Sequence, residues 1–134
     1  MSTYLDIQNV ENLDNQFKKF SDLNINELDT ISGKVLQILV EALQDTHGNI
    51  REIAASALGE LGDKRATTYL INSLKDPNTE VRRNSAGALG KLQDHESIHA
   101  LGEALNDDSS DVRYWAVEAL AQFQEPEAVK YMID

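Results

Sequence analysis

From Leu39 to Tyr131 the apolar and polar positions recur every 31 residues, three times without a gap. Leu43, Leu74 and Leu105 share one column, Ile50, Val81 and Val112 another, and Leu61, Leu92 and Phe123 close the copies. Each copy holds two stretches with the three-and-four spacing of a helix face. The first, helix A, contributes Leu70, Leu74, Leu101 and Leu105 to a core. The second, helix B, places positions 50, 54, 57, 58 and 61 and their copies on one stripe. Gly48, Thr79 and Ser110 are expected to cap helix B, and Asp63 and Asp94 to cap helix A. Pro126 would open a fourth helix A, where its missing N–H costs nothing. No stretch carries a strand signal. A fixed period of this length predicts stacked helix pairs, an all-α solenoid.

The ends of the array break the pattern. Val10, Leu13, Phe17 and Phe20 lie on one face of an expected N-terminal helix that covers the open end of the stack. A second helix is expected over Asn24 to Leu43, with Asn24 as N-cap, Glu27 completing a capping box, and Ile25, Leu28, Ile31, Val35, Ile38, Leu39 and Ala42 on its inner stripe. The expected organisation is a helical cap over 1–34 and an array over 35–134, with copies at 39–69, 70–100 and 101–131. The short last helix carries Val129, Tyr131, Met132 and Ile133. It is expected to fold down as a C-terminal cap; an open apolar edge would instead invite weak homodimerisation of an otherwise monomeric protein.

Composition narrows the function classes. The 134 residues carry a net charge of -11, which repels phosphates, so neither nucleic acid nor an anionic membrane surface is an expected partner. There is no cysteine, hence no disulfide framework and no thiolate chemistry. The N-terminal residues lack a basic start and an apolar run, and no segment approaches the length of a membrane span. A cytoplasmic protein is the expectation.

Two charged patterns invite a chemical reading. Asp45, Asp76 and Asp107 each stand six residues before Arg51, Arg82 and Arg113. An acid in the turn and a guanidinium one helical turn inside helix B satisfy each other, and their presence in every copy marks them as scaffold. The stretch His95-Glu96-Ser97-Ile98-His99 matches the HExxH pattern of zinc peptidases. Its residues align with Lys64, Arg65 and Thr68, exposed slots at the start of helix A, and no third ligand is apparent. No metal and no cofactor are expected. His47 is read as a solvated turn residue.

The helix B units IREIAASALGELGD, VRRNSAGALGKLQD and VRYWAVEALAQFQE, each preceded by an aspartate-led turn, resemble the HEAT-like repeats first recognised in phycobilisome bilin lyases. The resemblance covers residues 35–134. It implies a right-handed α-α superhelix with the B helices lining the concave face. It is shared by phycocyanobilin lyase subunits, proteins that dismantle phycobilisomes, deoxyhypusine hydroxylases and non-enzymatic binding modules. The hydroxylases bind iron through His-Glu pairs on the repeat helices; this chain has Arg51-Glu52, Arg82-Arg83 and Arg113-Tyr114 there, so that activity is not implied.

What varies between copies is the exposed sector of helix B. Its slots hold Glu52, Ile53, Ser56 and Glu60, then Arg83, Asn84, Gly87 and Lys91, then Tyr114, Trp115, Glu118 and Gln122. Tyr, Trp and Arg dominate protein interfaces. The expected function is a non-catalytic protein-binding module, with Glu52, Ile53, Arg83, Asn84, Lys91, Tyr114, Trp115 and Glu118 on its recognition surface. The alternative reading for Trp115 is that it folds back over Phe123 or the last helix. The alternative function, implied by the resemblance, is an accessory subunit or homologue of a bilin lyase acting on phycobiliproteins.

Overall fold

The computed structural model describes residues 25–133, with side chains described from residue 29. The expected helix over Val10 to Phe20 and the capping pair Asn24 and Glu27 lie outside what is described. The described residues are helical throughout, with turns between: α1 (Ile25–Ala42), α2 (Gly48–Leu61), α3 (Thr67–Ser73), α4 (Thr79–Leu92), α5 (Ile98–Ala104), α6 (Ser110–Ala121) and α7 (Pro126–Ile133). Short 3-10 turns, Lys64–Ala66 and His95–Ser97, lead into α3 and α5. The chain divides into two units between Val35 and Leu36, and the second carries the array.

In that unit α2, α4 and α6 are the B helices and lie side by side, each packed against the next. Helices α3 and α5 and the last helix α7 take the A position. The core is a main, largely aliphatic cluster in which Leu58, Leu70, Leu89, Leu101 and Leu120 are fully buried, with a smaller second cluster of Ala104, Val112 and Ala116. The helix B stripe is found as the spacing predicts, with Ala54, Ser85 and Ala116 in its centre. Ile50 is the exception at 38% exposed, where Val81 and Val112 are fully buried. Among the described residues no B helix precedes α2 to cover it.

The spacing missed a second contact. Ala55 and Ala86 are fully buried, whereas Val117 in the same column is 45% exposed. The following B helix covers this column, and α6 has none after it among the described residues. The closest approach lies one turn further on. A Cβ built on Gly59 would stand 2.8 Å from the Cα and Cβ of Ala88, and one on Gly90 would stand 2.9 Å from those of Ala119. The third copy has Ala121 in this slot, and it is exposed.

Two local readings need correction. The caps of helix B sit one residue earlier than expected: His47, Asn78 and Ser109 hold the extended N-cap conformation, and Gly48, Thr79 and Ser110 are already helical. Asn78 caps through its side chain, which accepts from the Glu80 N–H at 2.8 Å. The inner stripe of α1 is also rotated. Ile38 is 64% exposed, while Leu36, Leu39, Val40 and Ala42 pack on the core. Apolar residues surround this part of the helix, so three-and-four spacing alone fits two stripes equally well. Asp63 and Asp94 cap the turns before α3 and α5 as expected, accepting from Arg65 N and Glu96 N.

The last helix folds down on the array. Ala128 is fully buried, and the Tyr131 ring lies directly on Gly102 of α5. Val129, Met132 and Ile133 remain exposed, so an apolar edge persists even though the helix docks.

Candidate protein-binding surface

The charged columns hold the scaffold on which this surface is displayed. Arg51 donates to the backbone carbonyl of Asp45 in its own copy at 2.8 Å, and forks onto the Asp76 carboxylate of the next copy at 2.8 and 3.1 Å. Arg82 repeats both contacts, to the Asp76 carbonyl at 2.8 Å and to the Asp107 carboxylate at 3.0 and 3.2 Å. Arg113 keeps the first, to the Asp107 carbonyl at 2.6 Å. Each carboxylate also accepts the N–H two residues on, which shapes the turn before helix B. The carboxylate that meets the Arg51 and Arg82 side chains therefore belongs to the following copy.

Burial works to raise the pKa of Asp76, and the Arg51 fork with the Asn78 N–H outweighs it, so the carboxyl titrates below its ordinary value. Asp107 behaves alike: burial opposes, while the Ser109 N–H and Arg82 prevail. Both stay ionised well into the acid range. These groups are spoken for, and neither is poised for proton transfer.

The HExxH residues do not converge. His95 and Glu96 lie in a 3-10 turn and His99 in α5, so the one-turn stacking that zinc binding requires is absent. His99 engages Tyr131 Oη at 2.7 Å and Glu103 Oε1 at 2.9 Å. Among the described residues no group of three or more His, Cys, Asp or Glu side chains is placed to hold a metal ion. His47 is exposed and bonded to Asp45 at 2.9 Å.

The variable sector of the B helices is where side chains stand free of the core. Arg83, Asn84, Gly87 and Lys91 of α4 meet Trp115 of α6, Gln122 at its C-terminal end and Ser56 of α2 in a shallow groove of about 220 Å³. Four of the eight residues expected on the surface line it: Arg83, Asn84, Lys91 and Trp115. The indole packs over Gly87, where a Cβ would make an ordinary contact with Trp115 Cε3 at 3.7 Å. Trp115 thus lies toward α4, over the preceding copy. It is 41% exposed, and Tyr114, 57% exposed, meets it edge-on with ring centroids 5.5 Å apart.

The remaining expected residues fall around the groove. Ile53 is 66% exposed, Glu118 is exposed and Glu52 half-buried. Asn84 has a structural task as well, donating to the Glu52 carbonyl at 3.0 Å and tying α4 to α2. The two cations are paired within the surface, Lys91 with Glu60 and Arg83 with Glu80. Glu60 is among the variable slots, but neither its pairing with Lys91 nor Glu80 was singled out by sequence; the 31-residue offset of Glu60 from Lys91 was the available signal, since it puts them in one column.

A stack of helix pairs held by a repeated Arg–Asp fork, with glycine at the B-helix contacts, defines a helical-repeat protein. The model of HEAT repeats matches residues 24–78 and 67–134, and the chain belongs to that family. Among solved structures it is similar to the complex of CpcE and CpcF of phycocyanin lyase from Nostoc sp. PCC7120, with 27% identity and a TM-score of 0.69 over 73% of this chain. It is also similar to an engineered protein, with 25% identity and a TM-score of 0.57 over 74% of this chain. The chain spans only 40% and 50% of those two chains. No curated protein matches it. Among the described residues no helix is long and apolar enough to cross a membrane.

Proposed function

We propose that this chain is a non-catalytic protein-binding module whose partner docks on the concave face formed by α2, α4 and α6. The observation that carries the reading is Trp115, the chain's only tryptophan, which stands 41% exposed beside a groove rather than folded over the end of the stack. Half-exposed aromatic rings next to an arginine are the usual anchors of an interface, because they bury a large area while losing few rotamers. The groove is small and its surroundings shallow. Twelve slots are fewer than the roughly 20–30 residues per side of a standard interface, so binding here is modest unless other surfaces reinforce it.

The similarity to a phycocyanin lyase complex supports phycobiliprotein processing as the setting, with a phycobiliprotein or another lyase subunit as the partner. Direct handling of the pigment is the finer alternative.

The test is affinity capture from the source organism's lysate with the intact protein and with a Tyr114→Ala, Trp115→Ala variant shown to be folded by circular dichroism. Phycobiliproteins or lyase subunits retained only by the intact protein are the expected result. Equal retention by both forms would move the binding surface to another face. In a parallel arm, free bilin added to the purified protein should leave its visible absorption unchanged; a shifted and strengthened band would favour pigment handling instead.

A further inference from the structure

We propose that the groove between α3 and α5, on the A-helix side of the array, is a second binding site that takes an aromatic side chain flanked by a basic residue of a partner protein. The groove holds about 380 Å³, within the range of sites that enclose small groups. Ile71, Leu74, Ala100 and Ala104 line it with aliphatic surface. The array itself shows what fits between two A helices. In the next pair, α5 and α7, Tyr131 lies across the gap onto Gly102, and its hydroxyl meets His99 Nδ1 at 2.7 Å.

One period earlier the same two slots are Ala100 and Ile71. The bulk has moved from the ring of Tyr131 to the shorter side chain of Ile71, which packs against the core and lines the groove. The groove stands open where its neighbour is closed by an aromatic ring. An aromatic side chain from outside would restore the arrangement of the following pair.

The charge around the groove selects the flanking residue. Glu96 and Glu103 stand exposed among its lining residues, with Lys75 as the one lysine or arginine among them. Glu103 is held by His99 at 2.9 Å, while the Glu96 carboxylate forms no ion pair among the described residues. An ammonium or guanidinium entering beside the ring would meet both carboxylates, in a protein whose net charge of -11 already draws basic segments toward it. The HExxH residues Glu96 and His99 thereby acquire a role in lining this groove that has no metal in it.

The probe is the peptide acetyl-Gly-Tyr-Lys-Gly-amide, titrated into isotope-labelled protein while amide shifts are followed. The expected result is saturable shifts at Ile71, Ala100 and Ala104, with a dissociation constant on the order of 1 mM, as befits a single buried ring. Replacing the peptide's lysine by glutamate should weaken binding at least fivefold, and Glu96→Gln with Glu103→Gln should remove most of that preference. A variant carrying Ile71→Gly and Ala100→Tyr copies the closed pair into this groove and should abolish the shifts. The proposal is overturned if the shifts fall elsewhere or are missing, or if the lysine and glutamate peptides bind equally. The exposed Glu96 and Glu103 replacements keep that judgement available should the groove-filling variant fail to fold. Capture by the concave face is unaffected by any of these outcomes.

Discussion

Replacing glycine by alanine should have opposite effects at two positions three residues apart in α4. At Gly90 the added methyl would stand 2.9 Å from the Cα and Cβ of Ala119. Carbon atoms are comfortable at about 3.5–4.0 Å, so α6 must retreat by more than half an ångström or α4 must bend. A helix backbone does not yield as a flexible side chain does. Overpacking of this kind costs about 2–3 kcal/mol, while the better helix propensity of alanine returns up to about 1 kcal/mol. The net expectation for Gly90→Ala is a loss of about 1–2 kcal/mol, and Gly59→Ala should behave alike against Ala88. At Gly87 the methyl would meet only Trp115 Cε3 at 3.7 Å, an ordinary contact. Gly87→Ala should therefore stabilise by about 0.5–1 kcal/mol through propensity and the stiffer unfolded chain. Urea unfolding followed by circular dichroism reads both, with a thermal midpoint that moves roughly 4 °C per kcal/mol in an array of this size. If Gly90→Ala proved as stable as Gly87→Ala, the close approach of successive B helices would be wrong as described.

Three further outcomes follow from single features. Gln93 holds φ 52 at the end of α4, where the preceding copy has Gly62 at φ 73. Gln93→Gly should raise stability by about 0.5–1 kcal/mol and Gly62→Ala should lower it by a similar amount, measured in the same urea series. Ser85 Oγ is buried without a hydrogen-bond partner among the described residues, in a slot that holds Ala54 and Ala116 in the other copies. Ser85→Ala should stabilise by about 1 kcal/mol, and a loss of that size would reveal an unseen partner for the hydroxyl. The depressed carboxyls of Asp76 and Asp107 contribute stability that is complete above the ordinary carboxylate pKa of about 4 and is lost as pH falls through their lower folded values. The urea midpoint should fall below about pH 4, and Asp76→Asn with Asp107→Asn should flatten that fall while lowering the plateau at pH 7.

How much of this was legible in advance depends on how far a residue reaches along the chain. The helix pairs, their 31-residue period and the aspartate caps before α3 and α5 are matters of neighbours a few positions apart, and the sequence determined them. The period also marked the Asp and Arg columns as scaffold and left the exposed slots of helix B as the variable surface. Tertiary structure decided what depends on the distance between copies. It joined Arg51 and Arg82 to the carboxylates of the following copy, 25 positions on, while giving each only the backbone carbonyl of the aspartate in its own. It buried Ala55 and Ala86 under the next B helix and exposed Val117 in the same column. It turned Trp115 toward the opening above Gly87, and it closed one A-helix groove with Tyr131 while leaving the one before it open. Helical periodicity assigns a side chain to a face of its own helix. What stands opposite that face is set by how closely the next helix can approach, and here glycine and alanine at single positions determine that distance.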